Sequence, residues 1–236
     1  MSNARLYVLS AGLGLLPAER PIPVYGLTVS EGHAESVASK VLGEFDPAAW
    51  FSRLLSWPIS DDWQDVAKRK SGRILVAMSR PYAEMVGESL SRVPPKMFGR
   101  LRIFGASLET VLPVSLHPAI APYDERLNVI FPGTRSDFSQ RAMLHFARSI
   151  AVRPSSGREA DFAAVTSALR NLRLPKAVRR PRLTDEEIVA LISKRMRMQS
   201  GAARMLAALR HDEGVACEQS RFGRLYRIVS GKGAAS

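Results

Sequence analysis

Apolar positions along the first 150 residues come in short β-rich runs separated by longer stretches of helical spacing. The runs RLYVLSA (5–11), GRILVAMS (72–79), RLRIFGAS (100–107) and LNVIF (127–131) read as strands. Between the first two, AESVASKVLGEF (34–45) and AAWFSRLLSW (48–57) read as helices split at Asp46-Pro47. After the second strand, Tyr82, Met85, Val86 and Leu90 fall on one face of a helix over 80–93, and a further helix covers 137–151. Strands alternating with helices predict an α/β domain over 1–152, a small parallel sheet flanked by helices. In such sheets the loops at the carboxyl ends of the strands form the ligand crevice.

From residue 153 the pattern turns helical, and 153–236 reads as a basic helical module. Phe162, Val165, Leu169 and Leu172 keep helical spacing, and RLPKAVRRPRL (173–183) reads as a basic, proline-punctuated linker. Thr184 and Glu187 have capping-box spacing, with Leu183 and Ile188 placed as a hydrophobic staple. Ser200 is placed to cap the helix that follows, and Gly214 to end it. In the last helix, Phe222, Leu225 and Val229 point inward, and Arg221, Arg224 and Arg227 take another face. Two helices joined by a glycine turn match a helix-turn-helix, which would aim Gln219, Ser220, Arg221 and Arg224 at DNA. A plain helical hairpin with a solvated arginine face has the same pattern.

Charge sharpens this picture. The chain carries +12, and residues 173–236 hold fourteen Lys/Arg against six acids, most of the cations being arginine. Such a surface suits a polyanion, with nucleic acid the commonest partner. No apolar stretch reaches the roughly 18 residues that span a bilayer, so no membrane association is expected. The single cysteine, Cys217, has no partner for an internal disulfide. Together with an N-terminus unlike a secretory signal, this favours a reducing, cytoplasmic setting. The four histidines lack metal-ligand spacing, so neither metal nor cofactor is expected.

The run Ser10-Ala11-Gly12-Leu13-Gly14 after the first strand is short of side chains. Pro17 stands where a dinucleotide fingerprint needs its third glycine, and no lysine followed by Ser or Thr completes a P-loop. What remains is a bare backbone at a strand end, suited to close approach by a base or phosphate, or a tight structural turn.

LSAGLGLLP followed by PIPVYGLT resembles the signature of a family of small bacterial proteins related to the peroxide-stress DNA-binding proteins and to a domain of archaeal 7-deazaguanine-modifying enzymes. YDERLNVIFPGTRSDFSQRA (123–142) resembles the second block of that family, and LAALRHDEGVACEQSRFGRLYR its helical tail. The chain departs from the pattern at Gly26 and Ser139, where the family has Asp and Asn, and at Pro132 in place of the first glycine of a Gly-Gly turn. The resemblance implies a uracil-DNA-glycosylase-like fold and a metal-independent enzyme acting on DNA; a monomer is the expected state, though the sequence does not fix it. Some members are similar to a phage-restricting glycosylase that removes glucosylated hydroxymethylcytosine. Enzymes of 7-deazaguanine modification and non-catalytic DNA-binding stress proteins are the two rival classes.

Base excision needs a carboxylate near C1′ of a flipped nucleotide and donors for the departing base. Asp124 and Asp137 are the candidate carboxylates, although an Asp starting a helix is also a routine structural residue. Ser10, Ala11, Gly12, Gly14, Gly133 and Thr134 are candidates to approach the nucleotide, with Tyr25 and Tyr82 to stack on the base. Tyr123 can stack in the same way at a neighbouring strand end. Arg80, Arg135 and Arg141 are candidates for the phosphates.

Overall fold

The computed structural model describes residues 4–68, 72–152, 154, 157–174, 181–196 and 201–231. The chain divides into two compact units, Met1–Pro175 and Lys176–Ser236.

The first unit is mixed α/β, with two small sheets. Strand β1 (Tyr7–Ser10) pairs antiparallel with β2 (Gly14–Pro17), Ser10 facing Gly14 across the closing pair. The bare run is therefore the three-residue turn of a hairpin, and the apolar stretch beyond it is a buried strand. Gly14 has φ +82°, a left-handed conformation that glycine adopts without a steric cost. β1 thus pairs with the segment next to it and takes no place in a larger parallel sheet. Residues 34–45, expected as a helix, are turns around a single 3₁₀ turn at Ala38–Lys40. The backbone explains the difference: Thr28 N–H donates to the Glu35 carbonyl at 2.9 Å and Val37 N–H to the Thr28 carbonyl at 2.9 Å. These groups are committed sideways and are lost to an i→i−4 ladder.

Helix α1 (Pro47–Leu55) begins where Asp46 accepts from Ala48 and Ala49 N–H, and it buries Phe51 and Leu54. Helix α2 (Trp63–Ala67) carries a reciprocal capping box between Asp62 and Asp65. The expected β–α–β unit is present. β3 (Ile74–Ala77) leads through α3 (Arg80–Ser91) and the short α4 (Pro95–Phe98) to β4 (Leu101–Phe104), which pairs parallel with β3. Met85, Val86 and Leu90 of α3 are fully buried, as their spacing predicts. Each fully buried side chain of this size contributes about 1.5–3 kcal/mol.

LNVIF was expected as a further strand and instead forms the turn of helix α5 (Leu127–Ile130). The ladder position beside β4 is taken by Ile120, which bridges Ile103, with Ala121 N–H donating to the Ile103 carbonyl at 2.8 Å. Helix α6 (Phe138–His145) widens into one π turn at Phe146–Ile150 and is followed by α7 (Arg158–Leu169).

Two cores flank the β3–β4 pair. One gathers Phe51, Leu54, Met85, Leu90 and Ile103, and the other Phe104, Leu127, Phe146, Val165 and Leu169. Helix α7 therefore belongs with the α/β unit, and the boundary falls at 175/176 where the sequence pattern suggested 152/153. The buried carboxylate of Asp161 fixes this helix. It accepts from Arg73 Nε at 2.9 Å and from Arg102 Nε at 2.9 Å, so one residue of α7 binds β4 and the start of β3.

Among its described residues the second unit has three helices, α8 (Asp185–Met196), α9 (Ala202–His211) and α10 (Gln219–Val229), around Ile188, Ile192, Met205, Leu209, Cys217, Phe222 and Leu225. The Thr184 capping box forms as its spacing predicts, with Thr184 N–H donating to Glu187 Oε2 at 2.7 Å. Leu183 packs against this core beside buried Ile188. Gly214, with φ +62°, follows the end of α9, while Ser200 lies outside the described residues.

Candidate functional site

At the hairpin turn, buried Ser10 is a polar hub. Its Oγ accepts from Gly12 N–H at 3.2 Å and Leu13 N–H at 2.9 Å and shares a short hydrogen bond with the Tyr25 hydroxyl. Trp50 Nε1 donates to the Ala11 carbonyl at 2.7 Å and pins the turn from the α1 side. A Cβ on Gly12 would stand 2.8 Å from Leu27 Cδ1 and 3.1 Å from Tyr25 Cε2, so the Tyr25 ring lies along the glycine backbone. The side-chain-poor turn is filled on this side by the chain's own tyrosine. Tyr25 keeps 37% of its surface exposed. Tyr82, at the start of α3, is half-buried, and burial raises its hydroxyl pKa. Its hydroxyl lies near the side chains of Tyr25 and Thr28. Ser10, Gly12, Tyr25, Thr28 and Tyr82 thus converge where β1 and β3 end, a site from three separate stretches of sequence.

Gly14 plays a different part. A Cβ there would meet Ser60 Oγ at 2.3 Å, and that hydroxyl accepts from Leu15 N–H at 3.0 Å and donates to the Asp61 carbonyl at 2.8 Å. The glycine is required to close the hairpin, with its outward face spent on Ser60.

The two candidate carboxylates lie at the other core, beside Tyr123 and Phe138. Asp124 receives Arg126 through its Nε at 2.9 and 3.0 Å and through a terminal nitrogen at 2.8 Å. This guanidinium holds the Asp124 carboxyl below its ordinary pKa. Asp137 accepts from Arg141 Nε at 2.7 Å, with the same downward effect. Arg141 also donates to Asn128 Oδ1 at 2.9 Å, to the Phe131 carbonyl, and to the Thr134 carbonyl at 2.7 Å. Its Nε lies 2.3 Å from where a Gly133 Cβ would stand, so Gly133 and Thr134 wrap this side chain. Arg141, expected at a phosphate, has its donors spent inside the 128–138 loop. Among the described residues no hydrogen bond, ion pair or ring contact joins this group to the Ser10–Tyr25 cluster.

Arg80 is exposed and pairs with Glu84 at 3.2 Å, and Arg135 is exposed on the 128–138 loop. Tyr123 is not available to stack. It is buried, its hydroxyl is 2.7 Å from His145 Nδ1, and its ring packs on Phe104. Burial raises the Tyr123 pKa and lowers that of His145.

In the second unit, Arg221 Nε donates to Asp185 Oδ1 at 2.7 Å and a terminal nitrogen to the Leu183 carbonyl at 2.8 Å. Arg224 reaches Asp185 Oδ2 at 2.7 Å but stays 56% exposed. Arg221 is thus a brace between α10 and α8. Gln219, Ser220, Arg224 and Arg227 form the solvent face of α10, with Arg204 exposed on α9.

Two features carried no signal along the chain. The Asp161–Arg73–Arg102 cluster joins residues far apart in sequence and offers no motif. Glu35, read as one residue of a helix, instead lies against Gly26. A Cβ at position 26 would stand 3.0 Å from its Oε2. Only the lateral pairing of 28 with 35–37 places it there.

Among the described residues no cluster of His, Cys, Asp and Glu is arranged to hold a metal, and no helix is long and apolar enough to cross a membrane. Comparison with models of protein families, with characterised proteins and with solved structures finds no match for the chain.

Proposed function

We propose that the protein removes a modified base from DNA, the first unit receiving the flipped nucleotide and the second unit holding the strand. The observation that carries this reading is the convergence of Ser10, Gly12, Tyr25, Thr28 and Tyr82 at one end of the two short sheets. A half-exposed aromatic ring beside a glycine backbone and three hydroxyls suits a nucleobase, whose face stacks and whose edge hydrogen-bonds. The reading takes β3–α3–β4 as the counterpart of the parallel sheet of the uracil-DNA-glycosylase-like fold that the resemblance implies. A hypermodified cytosine of phage DNA is the substrate this resemblance favours, which makes defence against phage the setting.

In excision the C1′–N bond breaks, the base leaves with its bonding electrons and a proton, and water supplies hydroxide to C1′. Incubating the protein with unmodified, hydroxymethylated and glucosylated phage DNA, then scoring alkali-labile abasic sites, tests the proposal. Sites on glycosylated DNA alone are expected. Absence of sites on every DNA overturns it.

A second reading has its own support. Asp124 and Asp137 are each already held by an arginine, which suits a DNA-binding protein that performs no chemistry. Tight binding without base release on any of those DNAs would assign that role.

A further inference from the structure

We propose that Asp185 occupies, in the free protein, the place of a DNA phosphate on Arg224, and that the strand binds the second unit by exchanging this carboxylate for a phosphate oxygen. The inference rests on the reading that the second unit holds the strand, and it names the contact that sets the strength of that hold.

Three observations carry it. The Asp185 carboxylate, at the start of α8, is shared by two guanidinium groups of α10. Arg221 takes Oδ1 through Nε at 2.7 Å and through a terminal nitrogen at 2.6 Å, and Arg224 takes Oδ2 through one terminal nitrogen at 2.7 Å. One carboxylate between two arginines leaves a surplus positive charge, which favours a further anion at the same place. A phosphate oxygen accepts from a guanidinium in the way that Oδ2 does here.

Next, the two arginines are held unequally. The Arg221 side chain is 29% exposed and also donates to the Leu183 carbonyl at 2.8 Å. Arg224 is 56% exposed, and among the described residues Asp185 is its one side-chain partner. Releasing Arg224 therefore gives up a single exposed ion pair, a weak contact, and leaves the brace between α8 and α10 in place.

Finally, the released arginine joins a face suited to a strand. Ser220, Arg224 and Arg227, at i, i+4 and i+7, lie along one side of α10. Arg227 is exposed and makes no ion pair among the described residues.

The test is fluorescence anisotropy of a short labelled duplex of unmodified DNA, titrated with the full-length protein and its variants. Asp185→Asn is expected to bind about three to five times more tightly than the natural chain, the factor that an exposed ion pair withholds. Glu186→Gln removes the same charge one residue away, from an acid that makes no ion pair among the described residues, and should change affinity by less than about twofold. In an Arg224→Ala background the two substitutions should no longer differ, because the arginine that Asp185 withholds is gone. Arg224→Ala leaves the Arg221 brace intact and by itself should lower the slope of log affinity against log salt by about one, as the loss of one phosphate contact requires.

Binding by Asp185→Asn no tighter than by Glu186→Gln, a gain that survives Arg224→Ala, or a salt slope unmoved by Arg224→Ala would overturn the proposal. A gain that depends on Arg224 in a protein that frees no base from any DNA supports the exchange and removes excision. Base release without such a gain removes the exchange alone.

Discussion

Two glycines two residues apart do opposite work. Gly14 holds φ +82° with Ser60 Oγ at 2.3 Å from any added Cβ, so Gly14→Ala should cost about 1–3 kcal/mol in a urea melt. Gly12→Ala meets the tip of Leu27 and the edge of Tyr25, both of which can shift. That variant should fold with a loss under about 1 kcal/mol while base release falls, because the Ser10–Tyr25 bond is displaced. From the sequence the two positions look alike, since nothing along the chain says that Ser60 lies behind one and Tyr25 beside the other. Asp124 was legible as a loop carboxylate, but its pairing with Arg126 depends on the turn that replaces the expected strand. Its carboxyl pKa is depressed, so the pair stabilises the fold above the ordinary carboxylate range. That contribution is lost as pH falls through the lowered value. With 43% of the side chain exposed, Asp124→Asn should cost under about 1 kcal/mol at neutral pH and nothing further in acid.

Elements whose signals are local were the readable ones. α1 after Asp46-Pro47, the Thr184 capping box, and β3, α3 and β4 each follow from neighbouring residues. β2, the 34–45 segment and α5 were set by partners elsewhere: the strand before, Thr28, and Ile120 in the ladder. Helix α7 shows the same dependence through the buried Asp161. Removing its carboxylate with Asp161→Ala strips the counter-charge from Arg102, which is 1% exposed. A loss of about 3–5 kcal/mol is expected, and replacing Asp161 and Arg102 together by Leu and Met should recover much of it. At the other end of this core, burial holds the His145 imidazole below its ordinary pKa, so it stays neutral in the folded state at pH 7. The unfolded chain binds the proton first. Stability is therefore complete above about pH 6.5 and falls as the pH drops toward the lowered value. Melting temperatures taken from pH 7.5 to 5 should show this decline, flattened in His145→Phe.

Over the whole molecule, charge and chain division decide how the two units are to be probed. The +12 net charge was plain in the sequence, but the side chains free to meet a phosphate are fewer than the count suggests. Arg195 is paired with Asp212 and Glu213, and Arg221 and Arg224 with Asp185. Arg204→Ala and Arg227→Ala should each lower the slope of log affinity against log salt by about one with little effect on melting. Arg221→Ala should instead loosen the three-helix unit, seen as an earlier transition in its unfolding. That unit also holds the chain's single thiol, Cys217, packed in its core at 6% exposure. A disulfide reagent can reach the sulfur only when the three helices part, so the rate of modification in native buffer times the opening of this unit alone, a built-in clock needing no added probe.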